Sequence, residues 1–251
     1  MKTSVDGLEI GYDSTGEGRP VLFLHGWGVD RSTFKPVADR ISDCCRVITV
    51  DLPGFGESEE PKKPFNTDDF ADFTEHFIAA LGLEKPILVG HSNGGKTALA
   101  LAGRGYQNIS KLILVSSTGI PAKHKPGFYI KRFFFKTGKK LLNAPVIGKP
   151  FSKIFDPSKY GSEDYKKASL MMKKTMSAVL AQDVSDRLKN ISVPTLLFWG
   201  DKDTATPLSD AEKMKKLIPD AGLIVYKDCD HYAFLRKLPE FTAALRYFIL
   251  N

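Results

Sequence analysis

The stretch Ile87-Leu88-Val89-Gly90-His91-Ser92-Asn93-Gly94-Gly95-Lys96-Thr97-Ala98-Leu99 decides how the rest of the chain is read. A short apolar run ends in a serine flanked by glycines, and a helix-forming segment follows. The spacing is G-x-S-x-G. A nucleophilic serine in this setting sits on a sharp, strained turn that lifts its hydroxyl above the sheet, and side chains at Gly90 or Gly94 would collide with the neighbouring strand and helix. The helix N-terminus adds partial positive charge beside any developing anion. The plainer alternative is a glycine-rich strand–helix turn carrying an inert serine, so the surrounding sequence has to decide.

Working outward, five more apolar runs lack polar alternation: Val21–Leu24, Val47–Val50, Leu112–Val115, Leu196–Trp199 and Leu223–Tyr226. Strands covered on both faces read this way, as in a parallel sheet between helices. Asp6-Gly7 between Thr3–Val5 and Leu8–Tyr12 predicts an opening hairpin. Helices are predicted over Thr67–Leu81, behind an Asn66 or Thr67 cap, and over Gly94–Ala102, Leu208–Ile218 and Phe241–Leu250. Strands alternating with helices give an α/β fold with right-handed crossovers. The alternation stops between Ile120 and Asn190, which is too long for a plain loop. The expected organisation is a core of 1–119 with 191–251, interrupted by a helical cap over 120–190.

Three further motifs lie at strand ends. His25-Gly26-Trp27-Gly28 follows Val21–Leu24. An oxyanion hole needs two backbone N–H groups aimed at one point, and here they are expected from Asn93, after the nucleophile, and Trp27. Gly28 leaves room for an acyl group, and the Trp27 ring walls the pocket. Phe134 and Met172 of the insertion are further candidates for substrate contact. His25 is read as orienting its loop rather than as a base. Trp199-Gly200-Asp201-Lys202-Asp203-Thr204-Ala205-Thr206-Pro207 offers two carboxylates that could orient a histidine. Asp203 is favoured because it lies deeper in the loop, and Asp201 is the alternative. Asp228-Cys229-Asp230-His231-Tyr232 supplies His231 as general base, with Tyr226 and Cys229 as packing residues. The chain order Ser92, Asp203, His231 matches one of the known arrangements of such a constellation.

Taken together, these motifs resemble the α/β-hydrolase superfamily, in its compact capped branch of esterases, C–C hydrolases, peroxidase-like enzymes and aminopeptidases. Asp51-Leu52-Pro53-Gly54-Phe55-Gly56-Glu57-Ser58 adds the family's structural D-x-x-G-x-G-x-S turn, whose carboxylate is not expected to act in chemistry. The resemblance implies an α/β-hydrolase fold with a mostly parallel sheet, Ser92 as nucleophile, His231 as base and Asp203 as its acid partner. Serine at position 92 argues against the branches that open epoxides or remove halide through an aspartate. Asn93 departs from the large apolar residue common at its position and makes the acyl pocket more polar. Lys96 is unusual there too, and is read as solvated or ion-paired. The expected activity is a serine hydrolase of small to medium, largely apolar carboxylic esters, acting without metal or organic cofactor. Thioester, amide or C–C bond cleavage and perhydrolysis stand as alternatives, with a non-catalytic receptor behind them.

Composition limits the remaining classes. With 251 residues, 42% apolar and 26% charged, the chain is neither disordered nor in need of a staple. Cys44, Cys45 and Cys229 form no disulfide framework or metal-binding spacing. No apolar run is long enough to span a bilayer, and the start of the chain lacks a signal-peptide core, so a cytoplasmic setting is expected. The net charge of +7 is uneven. Residues 120–190 hold 16 basic and 5 acidic side chains, a net of +11, whereas the remaining 180 hold 20 and 24, a net of −4. No nucleic-acid motif accompanies the bases. The segment from Phe128 to Leu142 mixes Phe with Lys. It reads as a lid with a solvated Lys face, with contact to anionic membranes or attraction of acidic substrates as competing readings. The partner is then a small-molecule ester.

Overall fold

The computed structural model describes residues 1–121 and 168–251. The chain divides into two compact units, Met1–Ile120 with Leu170–Asn251, and Pro121–Ser169. Phe134, the Phe128–Leu142 segment and most of the expected cap lie outside the described residues. Residues 170–190, read from the sequence as the end of the insertion, fall in the first unit.

Eight strands form one sheet: β1 (Lys2–Val5), β2 (Leu8–Thr15), β3 (Pro20–Leu24), β4 (Arg46–Val50), β5 (Ile87–His91), β6 (Lys111–Val115), β7 (Thr195–Gly200) and β8 (Ala221–Tyr226). Their order is β1-β2-β4-β3-β5-β6-β7-β8. The β1–β2 and β2–β4 pairs are antiparallel, and the other five are parallel. The opening hairpin closes with Val5 opposite Leu8, and Asp6 and Gly7 both take positive φ, as a two-residue primed turn requires.

Helices cover both faces. They are α1 (Lys35–Ile41), α2 (Thr67–Ala80), α3 (Asn93–Gly103), α4 (Leu170–Ala181), α5 (Leu208–Leu217), α6 (Ala233–Arg236) and α7 (Leu238–Leu250). The strand pleat sends alternate residues to two cores. Leu22, Leu24, Leu88, Leu112, Leu114, Leu197 and Trp199 join one core with α2 and α3 side chains. Val21, Phe23, Ile87, Val89, Ile113, Val115 and Phe198 join the other with Val37, Phe234 and Phe241. This double coverage is why the strands carry no polar alternation.

The cap of α2 is Asn66. Its side chain accepts from Asp68 N and Asp69 N at 2.7 and 3.0 Å, and Asp69 Oδ2 accepts from Asn66 N at 2.8 Å. This reciprocal capping box also excludes Thr67 from the role. Helix α4 joins the core through Met172 and Val179, which are both buried.

Lys96 corrects its sequence reading. It is buried on α3, and its Nζ donates to Val179 O at 2.7 Å and Gln182 O at 2.6 Å. It therefore satisfies carbonyls at the C-terminal end of α4, where a cation is favoured by the helix dipole. Burial lowers its pKa to about 8, against an opposing effect of Asp183.

Candidate active site

The parallel strands deliver the sequence motifs to one end of the sheet. Strand β5 ends at His91 and α3 begins at Asn93, so Ser92 alone makes the turn. It does so at φ +52° and ψ −114°, a conformation disfavoured for a side chain with a Cβ. Ser92 is held there by its N–H donating to Val115 O at 3.0 Å and its carbonyl accepting from Thr118 N at 3.1 Å. The flanking glycines are required by contact rather than by dihedral angle. A Cβ on Gly94 would run into the carbonyls of Leu24 and His25, and one on Gly90 would lie 2.5 Å from Gly95 Cα. The strain at Ser92 is thus fixed by close packing of α3 against β3 and β5.

The His25–Gly28 loop lies beside this turn. A Cβ on Gly26 would fall 3.2 Å from Ser92 Cβ and 3.0 Å from His91 Nδ1. His25 is fully buried, and both ring nitrogens are engaged by backbone. Leu52 N donates to Nε2 at 3.0 Å, so Nδ1 carries the proton and donates to Gly26 O at 2.7 Å. Burial lowers its pKa. His25 therefore pins its own loop to the Asp51 turn. Trp27 meets Phe55 of that turn edge-on at 4.9 Å between ring centroids. Within the turn, Asp51 is buried and accepts from Arg31 N at 2.8 Å and Glu57 N at 2.9 Å, a structural role. Met172 lies against Gly54 of the same turn.

Of the two candidate carboxylates, Asp203 is the one that reaches His231. His231 Nδ1 lies 2.8 Å from Asp203 Oδ2. Asp203 is buried, and its Oδ1 accepts from Ala205 N and Thr206 N, both at 2.9 Å. Burial pushes the Asp203 carboxyl up, but the His231 hydrogen bond, the Thr206 N–H, the His231 charge and the Thr206 hydroxyl outweigh it and bring it to about 2. Asp201 instead spends its N–H on Tyr226 O at 3.1 Å, and its buried Oδ1 has no hydrogen-bond partner among the described residues.

Two residues at the site carry roles that the sequence reading did not assign. Thr206 donates its hydroxyl to Asp203 Oδ2 at 2.8 Å, with Ser116 O 3.1 Å away. Its carbonyl accepts from Trp199 Nε1 at 2.7 Å. The D-x-x-T spacing of a side-chain-capped turn was a usable signal for it. His91 is buried and donates from Nε2 to His231 O at 3.2 Å, and its ring lies 4.8 Å from that of His231. Burial, reinforced by the His231 charge, lowers its pKa to about 3, so it stays neutral. His91, which directly precedes Ser92, thereby joins the serine turn to the loop that bears His231.

Chemically, the arrangement places an ionised carboxylate on one nitrogen of a partly exposed imidazole, whose residue is hydrogen-bonded to His91, the neighbour of a serine on a strained turn. Among the described residues, no group of three or more His, Cys, Asp or Glu is placed to hold a metal ion. No helix among them is long and apolar enough to cross a membrane.

Known proteins resemble this chain in sequence and in fold. The AB hydrolase superfamily protein YisY of Bacillus subtilis is 28% identical over 94% of this chain and 93% of its own length. The pimeloyl-[acyl-carrier protein] methyl ester esterase of Aliivibrio salmonicida is 26% identical over 95% of each. Among solved structures, an esterase from Exiguobacterium antarcticum superposes with a TM-score of 0.77 at 28% identity, covering 98% of this chain and 97% of its own. A family model described as alpha/beta hydrolase fold matches residues 19–238, from the start of β3 into α7 and through every motif of the site. The eight-stranded sheet, the strained serine turn and this match place the chain in the alpha/beta hydrolase family.

Proposed function

We propose that this protein hydrolyses carboxylic esters of small to medium, largely apolar substrates through an acyl-enzyme. Ser92 Oγ attacks the ester carbonyl carbon while His231 Nε2 takes its proton. The carbonyl oxygen becomes an oxyanion that accepts from the backbone N–H groups of Trp27 and Asn93. The first N–H groups of a helix have no intrahelical partner, which leaves that of Asn93 available. The imidazolium then returns the proton to the departing alkoxide, leaving the acyl group on Ser92. Water, deprotonated by His231, attacks the acyl carbon; collapse releases the carboxylic acid and restores the serine hydroxyl. Asp203 fixes the Nδ1–H tautomer and stabilises the imidazolium. Esterases among the relatives support the bond type.

The observation that carries this reading is the 2.8 Å contact between His231 Nδ1 and Asp203 Oδ2, on the loops after β8 and β7, joined through His91 to Ser92. The test is labelling by a fluorophosphonate probe with turnover of p-nitrophenyl esters. Ser92→Ala is expected to abolish labelling and to lower kcat by about 10⁶-fold. Retained labelling or turnover in that variant overturns the proposal.

A further inference from the structure

Asn93 heads α3 directly after Ser92 and is only 6% exposed, yet its side-chain Nδ2 has no hydrogen-bond partner among the described residues. Burial of an amide donor without a partner is unfavourable, whereas a leucine has the same branched skeleton and no polar group to satisfy. Native structures leave few such groups, and each asks for an explanation. The position of Asn93 supplies one. The Cα–Cβ bonds of a helix tilt toward its N-terminus, so the side chain of the first helical residue lies over the end of the helix where Ser92 stands.

We infer that the Asn93 side-chain amide is a specificity determinant that donates a hydrogen bond to the acyl group of the substrate. This rests on the serine-esterase reading, in which the N–H of the same residue holds the scissile carbonyl oxygen. The amide is then one side-chain length from that oxygen and reaches an acceptor one or two bonds from the carbonyl carbon. The acyl side follows from the layout. His231 returns its proton to the leaving alcohol, and it packs on His91, before Ser92. His91 also contacts Phe234, which belongs to the core on the opposite face of the sheet from α3. The alcohol therefore lies toward His231, and the acyl group is the part left to Asn93. The substrate class is an ester whose acyl chain carries an ether, hydroxyl or keto oxygen near the carbonyl within an otherwise apolar group.

The test compares kcat/KM for p-nitrophenyl methoxyacetate and p-nitrophenyl butyrate, which have the same chain length and differ by one oxygen for one methylene. Wild type is set against Asn93→Leu, so that intrinsic ester reactivity cancels in the ratio of ratios. The preference for methoxyacetate is expected to fall about tenfold in Asn93→Leu, the scale of one lost hydrogen bond at a desolvated site. The Leu variant is also expected to melt no lower than wild type, because it removes an unpaired buried donor. An unchanged ratio together with a lower melting temperature would mean that the amide is satisfied by internal solvent, and overturns the assignment. An unchanged ratio alone overturns it as well. Should Asn93→Leu fail to fold, Asn93→Ala carries the same comparison. Absence of ester turnover and of fluorophosphonate labelling in wild type sinks the esterase reading itself, which is a separate outcome.

Discussion

Replacing Asp203 with Asn exchanges one oxygen for an NH₂, and the hydrogen bonds around the carboxylate dictate where that NH₂ must go. Oδ1 accepts from two backbone N–H groups, Ala205 and Thr206, each at 2.9 Å. Only the amide oxygen can accept them, so Nδ2 occupies the Oδ2 position, 2.8 Å from His231 Nδ1. Two donors cannot face one another. The imidazole must present Nδ1 as an acceptor, which moves its proton to Nε2, and Nε2 can then no longer take the proton of Ser92. The Thr206 hydroxyl does not rescue the native tautomer, because it can turn to the Ser116 carbonyl 3.1 Å away and accept from the new NH₂. The expected loss in kcat is about 10⁴-fold, or about 5.5 kcal/mol of transition-state stabilisation, with little change in KM. Asp201→Asn is the control: it leaves the His231 contact intact and is expected to have a small effect. Steady-state hydrolysis of a p-nitrophenyl ester, the rate of fluorophosphonate labelling and a thermal melt confirming the fold make up the assay. A loss smaller than about tenfold in Asp203→Asn, or a severe loss in Asp201→Asn alone, refutes the reasoning.

Two further expectations follow from the same surroundings. Thr206→Val removes one of four hydrogen bonds to the Asp203 carboxylate and should lower kcat about tenfold, with Thr206→Ser restoring most of it; equal losses in both variants would reduce Thr206 to a packing residue. Lys96 titrates at about 8 in the fold, below its usual 10.5, so between these values the unfolded chain binds more protons and stability rises with pH. Urea unfolding at pH 7.5 and 10 should therefore show wild type gaining on Lys96→Met by up to about 3 kcal/mol as pH rises, and a flat difference contradicts a buried, charge-penalised lysine.

Much of the architecture was readable from local chemistry. The apolar runs without alternation announced strands covered on both faces, and Asp6-Gly7 announced the hairpin, because backbone sterics at a two-residue turn are local. Helices α1 and α6 were not anticipated; each is short, and each is held by packing against its core rather than by periodicity. Helix α7 begins at Leu238 rather than Phe241, with Pro239 tolerated in the first turn where its missing N–H costs nothing.

The candidate site divides in the same way. Sequence by itself picked out Ser92, His231 and the pair Asp201/Asp203, because strained turns and strand-end loops are written in glycines and spacing. It could not choose between the two carboxylates by proof, nor see that Thr206 completes the shell of Asp203, that His91 ties the Ser92 turn to the His231 loop, or that Lys96 is buried against the end of α4. Each of those facts depends on which atoms separated by tens of residues come within hydrogen-bond distance once the sheet is assembled. That is also why Asn93 read as no more than a polar exception in an apolar pocket until the fold showed its Nδ2 enclosed and without a hydrogen-bond partner among the described residues.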